Sequence, residues 1–203
     1  MAKKYSWITV LAVLPLVLML GCGELGKVDQ GRVIEYDKEK GTVTLIRDLK
    51  ADPKKPDYSS LPPHIYAVPT DPGEMGPEPK AGKRMKLDTQ KRQITIFDNA
   101  TQNFKTIDFT LIDQKENVDK DNPLVYDEAA DKAKDFPVVD REKKTIIVYS
   151  KRLKSLTTFS LPDEYFALPD DTWTAGDEVR IYYKEEGKAR RFMNISKTDI
   201  YKK

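Results

Sequence analysis

The sequence predicts an all-β protein made of two tandem small barrel-like repeats, of the OB-like or SH3-like kind. Short runs with an apolar residue at every second position are typical of half-buried strands, and no long segment carries the 3.6-residue period of an amphipathic helix. Four short motifs also recur in the same order, about 100 residues apart. The clearest runs lie at residues 42–45, 93–96, 107–111 and 179–181, with a continuous β-branched run at 146–149.

Residues 1–21 have the layout of a cleaved secretory signal peptide. Lys3 and Lys4 form a short positive segment, and residues 7–20 form an apolar run that ends in small residues. A membrane-spanning helix needs about 20 apolar residues, so this run is too short to span a bilayer. We therefore expect export from the cytoplasm.

The only cysteine, Cys22, stands at the expected cleavage point. Residues 19–22, Met-Leu-Gly-Cys, resemble the lipobox of bacterial lipoprotein precursors. The resemblance implies that the Cys22 thiol receives a diacylglycerol and that cleavage leaves an acylated Cys22 as the N-terminus. Residues 22–30 would then be a lipidated tether. A free thiol here would be a liability in an oxidising compartment.

The same resemblance carries expectations about location. The mature part is similar in general layout to uncharacterised bacterial envelope lipoproteins of about this length. The protein would be membrane-anchored at the periplasmic face of the envelope. Gly23 follows the cysteine, where the family's inner-membrane retention signal has Asp, and this indicates the outer membrane.

Composition excludes several classes of function. The chain has 35 basic and 33 acidic residues, and removal of Lys3 and Lys4 with the signal peptide leaves 33 of each. A neutral chain has no electrostatic basis for binding nucleic acid or anionic lipid as a whole. One cysteine and one histidine exclude an internal disulfide, a Cys-cluster metal site and a His-rich zinc site. We expect no cofactor and no metal.

The recurring motifs define the two repeats, which we place at residues 31–113 and 135–203. Each repeat is expected to contain about five strands, with a hairpin at its start and a second hairpin after an Ala-Gly turn. The alternative is a single larger barrel or sandwich made from both repeats. The matched pairs are 37–42 with 140–145, 60–69 with 160–169, 81–87 with 175–181, and 97–101 with 192–196.

Two further segments complete the chain. The first repeat is longer around residues 51–57 and 71–80, which are rich in proline and are interpreted as insertions at exposed loops. Residues 114–134 form an acidic linker, with a short helix expected at 125–134.

A concentration of aromatic residues is the strongest candidate for a ligand or partner surface. Tyr182 and Tyr183 are neighbours in a predicted strand, so they must point to opposite faces. The favoured interpretation is that the aromatic residues cover a thin core; the alternative is an exposed platform for a sugar ring or a protein. The residues concerned are Tyr165, Phe166, Trp173, Tyr182 and Tyr183.

No catalytic residue is predicted. His64 is the only imidazole, we expect it at the surface or a strand edge, and the Gly-x-Ser-x-Gly motif of a serine hydrolase is absent. We therefore expect a non-enzymatic binding or scaffolding module for a protein or a glycan. The alternative is an envelope hydrolase that uses loop carboxylates, namely Asp163, Glu164, Asp170 and Asp171.

Overall fold

The computed structural model describes residues 25–52 and 55–198, so the predicted signal peptide and Cys22 lie outside the described residues. It confirms the all-β prediction, with only short 3₁₀ turns at Pro72–Glu74, Asp163–Ala167 and Asp170–Trp173 beside the strands. The strands are β1 (Lys27–Asp37), β2 (Thr42–Arg47), β3 (His64–Ala67), β4 (Arg84–Asp88), β5 (Gln93–Asp98), β6 (Asn103–Asp108), β7 (Thr110–Lys115), β8 (Tyr126–Asp127), β9 (Lys132–Ala133), β10 (Val138–Asp140), β11 (Thr145–Ser150), β12 (Ser155–Ser160), β13 (Glu178–Glu185) and β14 (Lys188–Asn194).

Five strands close into a small barrel in the order β1-β13-β14-β3-β2. Neighbouring strands are antiparallel, except that β14 and β3 run parallel at a single pair, Lys188 and Ala67. Alternate residues of these strands point inward, as expected for a half-buried sheet. They form a compact core of Val33, Val43, Leu45, Tyr66, Val179, Ile181, Tyr183 and Phe192.

The other strands form a second unit, called here the open unit. A four-stranded sheet, β10-β11-β12-β7, and a three-stranded sheet, β4-β5-β6, share one core. Only Phe109 separates β6 from β7, so the chain passes directly from one sheet to the other. If β7 and β6 are counted as one bent strand, the open unit has the strand order β10-β11-β12-β7/β6-β5-β4. The barrel, read from β1, has the order β1-β2-β3-β14-β13. The two orders correspond strand for strand, except that the bent strand is an additional member of the open unit. The shared core contains Ile94, Ile96, Ile107, Phe109, Ile146, Val148, Phe159, Leu161, Phe166 and Trp173.

Both units draw strands from both predicted repeats. The first repeat supplies β1, β2 and β3 to the barrel but β4, β5, β6 and most of β7 to the open unit. The second supplies β10, β11 and β12 to the open unit but β13 and β14 to the barrel. The prediction of two tandem barrel-like repeats is therefore wrong in its finer part: one closed barrel is present beside an open unit of two sheets. The hairpins β4-β5 and β13-β14 are exchanged between the repeats, so neither repeat closes on itself.

The two exchanging segments cross at the paired Ala-Gly motifs. Lys83 and Ala175 form an isolated antiparallel bridge there, and the Arg84 amide donates to the Thr174 carbonyl at 3.0 Å. A Cβ on Gly176 would lie 1.8 Å from the Val33 carbonyl oxygen, and one on Gly82 would lie 2.3 Å from the Thr174 carbonyl oxygen. Only glycine leaves room for this backbone crossing.

The barrel and the open unit contact each other through a small apolar cluster. Ile34 and Ile46, on the outer side of β1 and β2, pack against Met85 and Phe97 of the open unit. Arg32 adds hydrogen bonds from its Nη1 atom to the carbonyl oxygens of Arg84 (3.1 Å) and Met85 (2.7 Å). The barrel is thereby fixed to the three-stranded sheet.

The predicted helix at residues 125–134 is wrong, because this segment is the small hairpin of β8 and β9. The Asp127 carboxylate accepts from the amides of Ala129 (3.1 Å) and Ala130 (3.2 Å) and so stabilises a turn in place of a helix. Val118 and Val125 are buried, so the linker packs onto the protein.

Two further expectations need correction. Residues 165–166, which the match of 160–169 with 60–69 placed in a strand, lie instead in the 3₁₀ turn Asp163–Ala167, which directs Phe166 into the core. Residues 27–30, expected in the tether, belong to β1, which begins at Lys27. Residues 71–80, interpreted as an exposed loop insertion, are mostly exposed and run beside β14, where Met75 bridges Phe192.

Within residues 25–52 and 55–198, no helix has the length and apolar character needed to span a membrane.

Candidate functional site

The structure divides the predicted aromatic surface between the core and the exterior. Trp173, Phe166 and Tyr183 are buried, with exposed fractions of 0, 7 and 3%. The alternative prediction, an exposed platform that includes these three residues, is therefore wrong. The 3₁₀ turns place Phe166 and Trp173 in the core of the open unit, and the inward side of β13 places Tyr183 in the core of the barrel. Tyr165 packs partly against the core of the open unit, with the Lys105 ammonium 4.9 Å from its ring centroid.

Among the predicted aromatic residues, Tyr182 lines a surface cleft. Its neighbour Tyr183 points into the barrel, so the prediction that the two tyrosines face opposite ways is confirmed. The cleft has a volume of about 740 Å³. This Tyr182 groove is lined by Pro69, Thr70, Asp71, Glu74, Tyr182, Ala189, Arg190 and Arg191.

The wall of the groove opposite β14 is the short 3₁₀ turn at Pro72–Glu74. Asp71 caps this turn by accepting a hydrogen bond from the Gly73 amide at 2.9 Å. Glu74 then accepts from the Arg191 guanidinium through two bonds, from Nε at 2.6 Å and from Nη2 at 3.4 Å. Because the turn and the strand are tied together, the groove is preformed.

The electrostatics of the groove leave one cation free for a ligand. The hydrogen bond that Arg191 donates to the Glu74 carboxylate raises the pKa of Arg191, so this guanidinium stays charged and bound to the wall. Arg190 is exposed and takes part in no ion pair within the described part of the chain. A tyrosine ring, a free guanidinium and polar acceptors can bind a ligand, but they contain no nucleophile held by a base.

A second cleft has a volume of about 410 Å³ and is lined in part by Val28, the β1 residue paired with Tyr182. It is called the Val28 cleft and is lined by Val28, Asp29, Gln30, Arg47, Asp48, Leu49, Ala51 and Arg180.

The floor of the Val28 cleft carries a buried carboxylate, Asp29. The Tyr66 hydroxyl donates to Asp29 from inside the barrel, and Arg47 lies 3.5 Å from its other oxygen. Burial and this hydrogen bond raise the pKa of Tyr66. Asp48 accepts from the amides of Lys50 (3.1 Å) and Asp57 (2.7 Å), which closes the loop between β2 and β3. These groups stabilise the end of the barrel.

The residues considered for catalysis line neither of the two clefts. His64 is the partly exposed first residue of β3. Asp163 forms an ion pair with Lys144, Asp170 forms one with Arg141 at 2.7 Å, and Glu164 and Asp171 are exposed. Among the described residues, no group of three or more His, Cys, Asp or Glu side chains could hold a metal ion.

Sequence reasoning identified Tyr182 but missed the rest of the groove. Asp71 and Glu74 lie in the segment interpreted as a loop insertion, and Arg190 lies in an unremarkable basic run. The proximity of the two segments depends on the barrel, since they are more than 100 residues apart in sequence.

Comparisons with known proteins identify a family. No curated protein and no solved structure matches the chain. Residues 24–203 match the family model described as "Domain of unknown function (DUF4881)", and the chain therefore belongs to that family.

Proposed function

We propose that the chain is a lipid-anchored protein of the bacterial envelope, exposed at the periplasmic face and located at the outer membrane. It acts without catalysis, as a module that binds a protein or a glycan in the Tyr182 groove. The observation that supports this best is the groove itself, which is preformed and offers an aromatic ring and a free guanidinium.

The anchor follows from the lipobox-like residues 19–22 and from Cys22. Each buried CH₂ of an acyl chain contributes about 0.8 kcal/mol, and two or more chains hold a folded domain on a bilayer stably. The strand β1 begins five residues after Cys22, so the barrel would lie close to the anchor.

The chemistry of the groove suits a sugar or a peptide. The face of the Tyr182 ring can stack against the apolar face of a sugar or against an aromatic side chain. Arg190 can donate to a carboxylate or a hydroxyl of the same ligand. The Thr70 hydroxyl and the Asp71 carboxylate line the groove and supply acceptors for ligand hydroxyls or amides.

The anchor is tested by mass spectrometry of the mature protein. We expect an N-terminal Cys22 that carries a diacylglycerol and an amide-linked acyl chain, and we expect both to disappear in Cys22→Ala, which should no longer fractionate with membranes. A mature N-terminus without lipid would overturn the anchor.

The groove is tested by calorimetric titration with peptidoglycan fragments and by capture of cross-linked envelope proteins. Tyr182→Ala and Arg190→Ala should each weaken the binding about ten-fold, which corresponds to about 1.4 kcal/mol. Tyr126→Ala and Arg92→Ala, which remove the same residue types far from the groove, serve as matched controls. Binding that all four variants retain would exclude the groove as the site.

A further inference from the structure

We propose that the face of the barrel around the start of β1 lies on the bilayer that carries the anchor and binds anionic phospholipid headgroups. This bilayer face consists of Leu25, Val28, Arg47, Leu49, Arg180 and Lys184. The inference rests on the proposed lipid anchor and adds to it an orientation and a lipid ligand.

The described residues nearest to Cys22 in the sequence lie at this face. A Cβ built on Gly26 would lie 2.1 Å from Cε2 of Tyr182, so the backbone of Gly26 lies directly against the outward side of that ring. Val28 pairs with Tyr182 across β1 and β13. Gly26, four residues after Cys22 in the sequence, therefore lies on the outer face of the barrel.

The length of the intervening chain keeps this face close to the lipid. Leu25 is only three residues after Cys22, and three fully extended residues span at most about 11 Å. This distance is comparable to the polar headgroup layer, which is about 5–8 Å thick on each side of the hydrocarbon core. The barrel thus has no long spacer that would hold it away from the bilayer surface.

Exposed apolar side chains cluster at the point where the chain leaves the barrel. Leu25 is 95% exposed, and Val28 and Leu49 are each 56% exposed. Val28 and Leu49 line the same cleft, although they come from β1 and from the loop after β2. Side chains of this kind gain free energy when they enter the boundary between headgroups and acyl chains.

The charges of the face complement a phosphate-bearing surface. Arg180 and Lys184 stand two residues on either side of Tyr182 in β13, are exposed, and form no ion pair within the described residues. Arg180 donates to the Gln30 side-chain oxygen at 2.8 Å, which holds its guanidinium over β1. The buried Asp29 carboxylate lies beneath and accepts from Tyr66. Exposed cations near an anionic membrane surface contribute about 1 kcal/mol each.

This orientation also constrains the Tyr182 groove. The Tyr182 ring forms the border between the groove and the bilayer face, so a partner in the groove is bound at the membrane surface. The open unit joins the barrel through Ile34 of β1, six residues after Val28, and through Ile46 of β2, which pairs with Arg32.

The orientation can be tested with site-specific labels, because Cys22 is the only native cysteine and its thiol is consumed by the anchor. Variants Val28→Cys, Leu49→Cys and Leu153→Cys of the lipidated protein are labelled with an environment-sensitive fluorophore in vesicles that contain phosphatidylglycerol. Leu153, which is 60% exposed on the open unit, is the matched control.

We expect labels at positions 28 and 49 to shift to shorter wavelength and to be quenched by lipid-borne nitroxides, whereas the label at 153 stays accessible to aqueous iodide. In the same vesicles, each of Arg180→Gln and Lys184→Gln should lower the ratio of lipid-contacting to aqueous label at position 49 about five-fold. The remote variant Lys132→Gln should leave it unchanged.

Equal aqueous access at all three positions in an acylated protein would overturn the bilayer face but leave the anchor intact. Equal quenching at all three positions would overturn it as well. Absence of acylation in the mass spectrum would overturn the proposed anchor, and this inference with it.

Discussion

Replacement of Gly176 by alanine tests the hairpin exchange directly. The new Cβ would lie 1.8 Å from the Val33 carbonyl oxygen, 2.9 Å from its carbon and 3.0 Å from the Gly82 amide nitrogen. All three are backbone atoms of β1 or of the crossing partner, so no side-chain rotation can relieve the overlap. The two crossing segments must separate.

The magnitude follows from what that separation disrupts. Overpacking in a tight site costs about 1–3 kcal/mol. The crossing also holds hydrogen bonds from the Gly82 amide to Val33 (3.1 Å) and from the Asp177 amide to Lys80 (2.8 Å), and each contributes about 1 kcal/mol. We expect Gly176→Ala to lower the free energy of unfolding by about 4 kcal/mol. For a chain of this length, that is a fall in Tm of about 10 °C.

The assay is urea and thermal unfolding of the mature chain with Cys22 replaced by serine, followed by circular dichroism. Gly73→Ala is the matched control, because the nearest atom to its Cβ is a side-chain oxygen of Asp71 at 3.3 Å and the site is exposed. The control carries the same change in unfolded-chain entropy. If the stabilities of the two variants differ by less than about 1 kcal/mol, the segments do not cross as described.

Three other predictions concern the barrel and its turns. Tyr66→Phe removes the donor to the buried Asp29 carboxylate and should lower the free energy of unfolding in urea by about 1–3 kcal/mol. Tyr149→Phe should cost less, because the Tyr149 hydroxyl donates to the Val118 carbonyl from a half-buried site. Equal costs would contradict the role of Asp29. Burial raises the pKa of Tyr58 to about 12, so the stability that this neutral phenol contributes is complete below pH 10 and is lost between pH 10 and 12. Over that interval the free energy of unfolding of the wild-type chain should fall by about 2 kcal/mol more than that of Tyr58→Phe. Parallel pH profiles of the two proteins would refute this. Arg92 has a φ of 56° in the turn between β4 and β5, a backbone conformation that glycine adopts without strain. Arg92→Gly should therefore raise the free energy of unfolding by up to about 1 kcal/mol. A lower free energy of unfolding would show that the Arg92 side chain stabilises the turn by more than the backbone strain costs.

The local features of the sequence predicted the strands well. The alternating residues 42–45, 93–96 and 179–181 lie within β2, β5 and β13. The charged segments at 37–41 and 140–144 are hairpin turns in which Asp37 and Asp140 accept from the amide three residues later. These features depend on neighbours within a few residues, and local sequence is sufficient to specify them.

The failed predictions concern segments whose structure is decided by distant contacts. The matched Ser-Leu-Pro motifs are followed by a strand, β3, in the first repeat and by a 3₁₀ turn in the second. In the first repeat, residues 64–67 pair with the edge of β2. In the second repeat the corresponding edge, that of β11, is already paired with β12, so no edge remains for a strand there. The aromatic cluster of β13 and the preceding turns was similarly divided between two cores. Trp173 belongs to the open unit and Tyr183 to the barrel.

The sequence alone determined the class of fold, the duplicated strand pattern and the opposed directions of Tyr182 and Tyr183, and it carries the lipobox-like segment on which the proposed anchor rests. The tertiary structure decided which hairpin joins which unit. The two repeats share the same alternation of apolar residues. The apolar pattern of β13 is therefore compatible with pairing to a strand of its own repeat as well as with the observed pairing to β1. That choice depends on the close backbone crossing at Gly82 and Gly176 and on the path of residues 71–80 along β14, which no local pattern encodes.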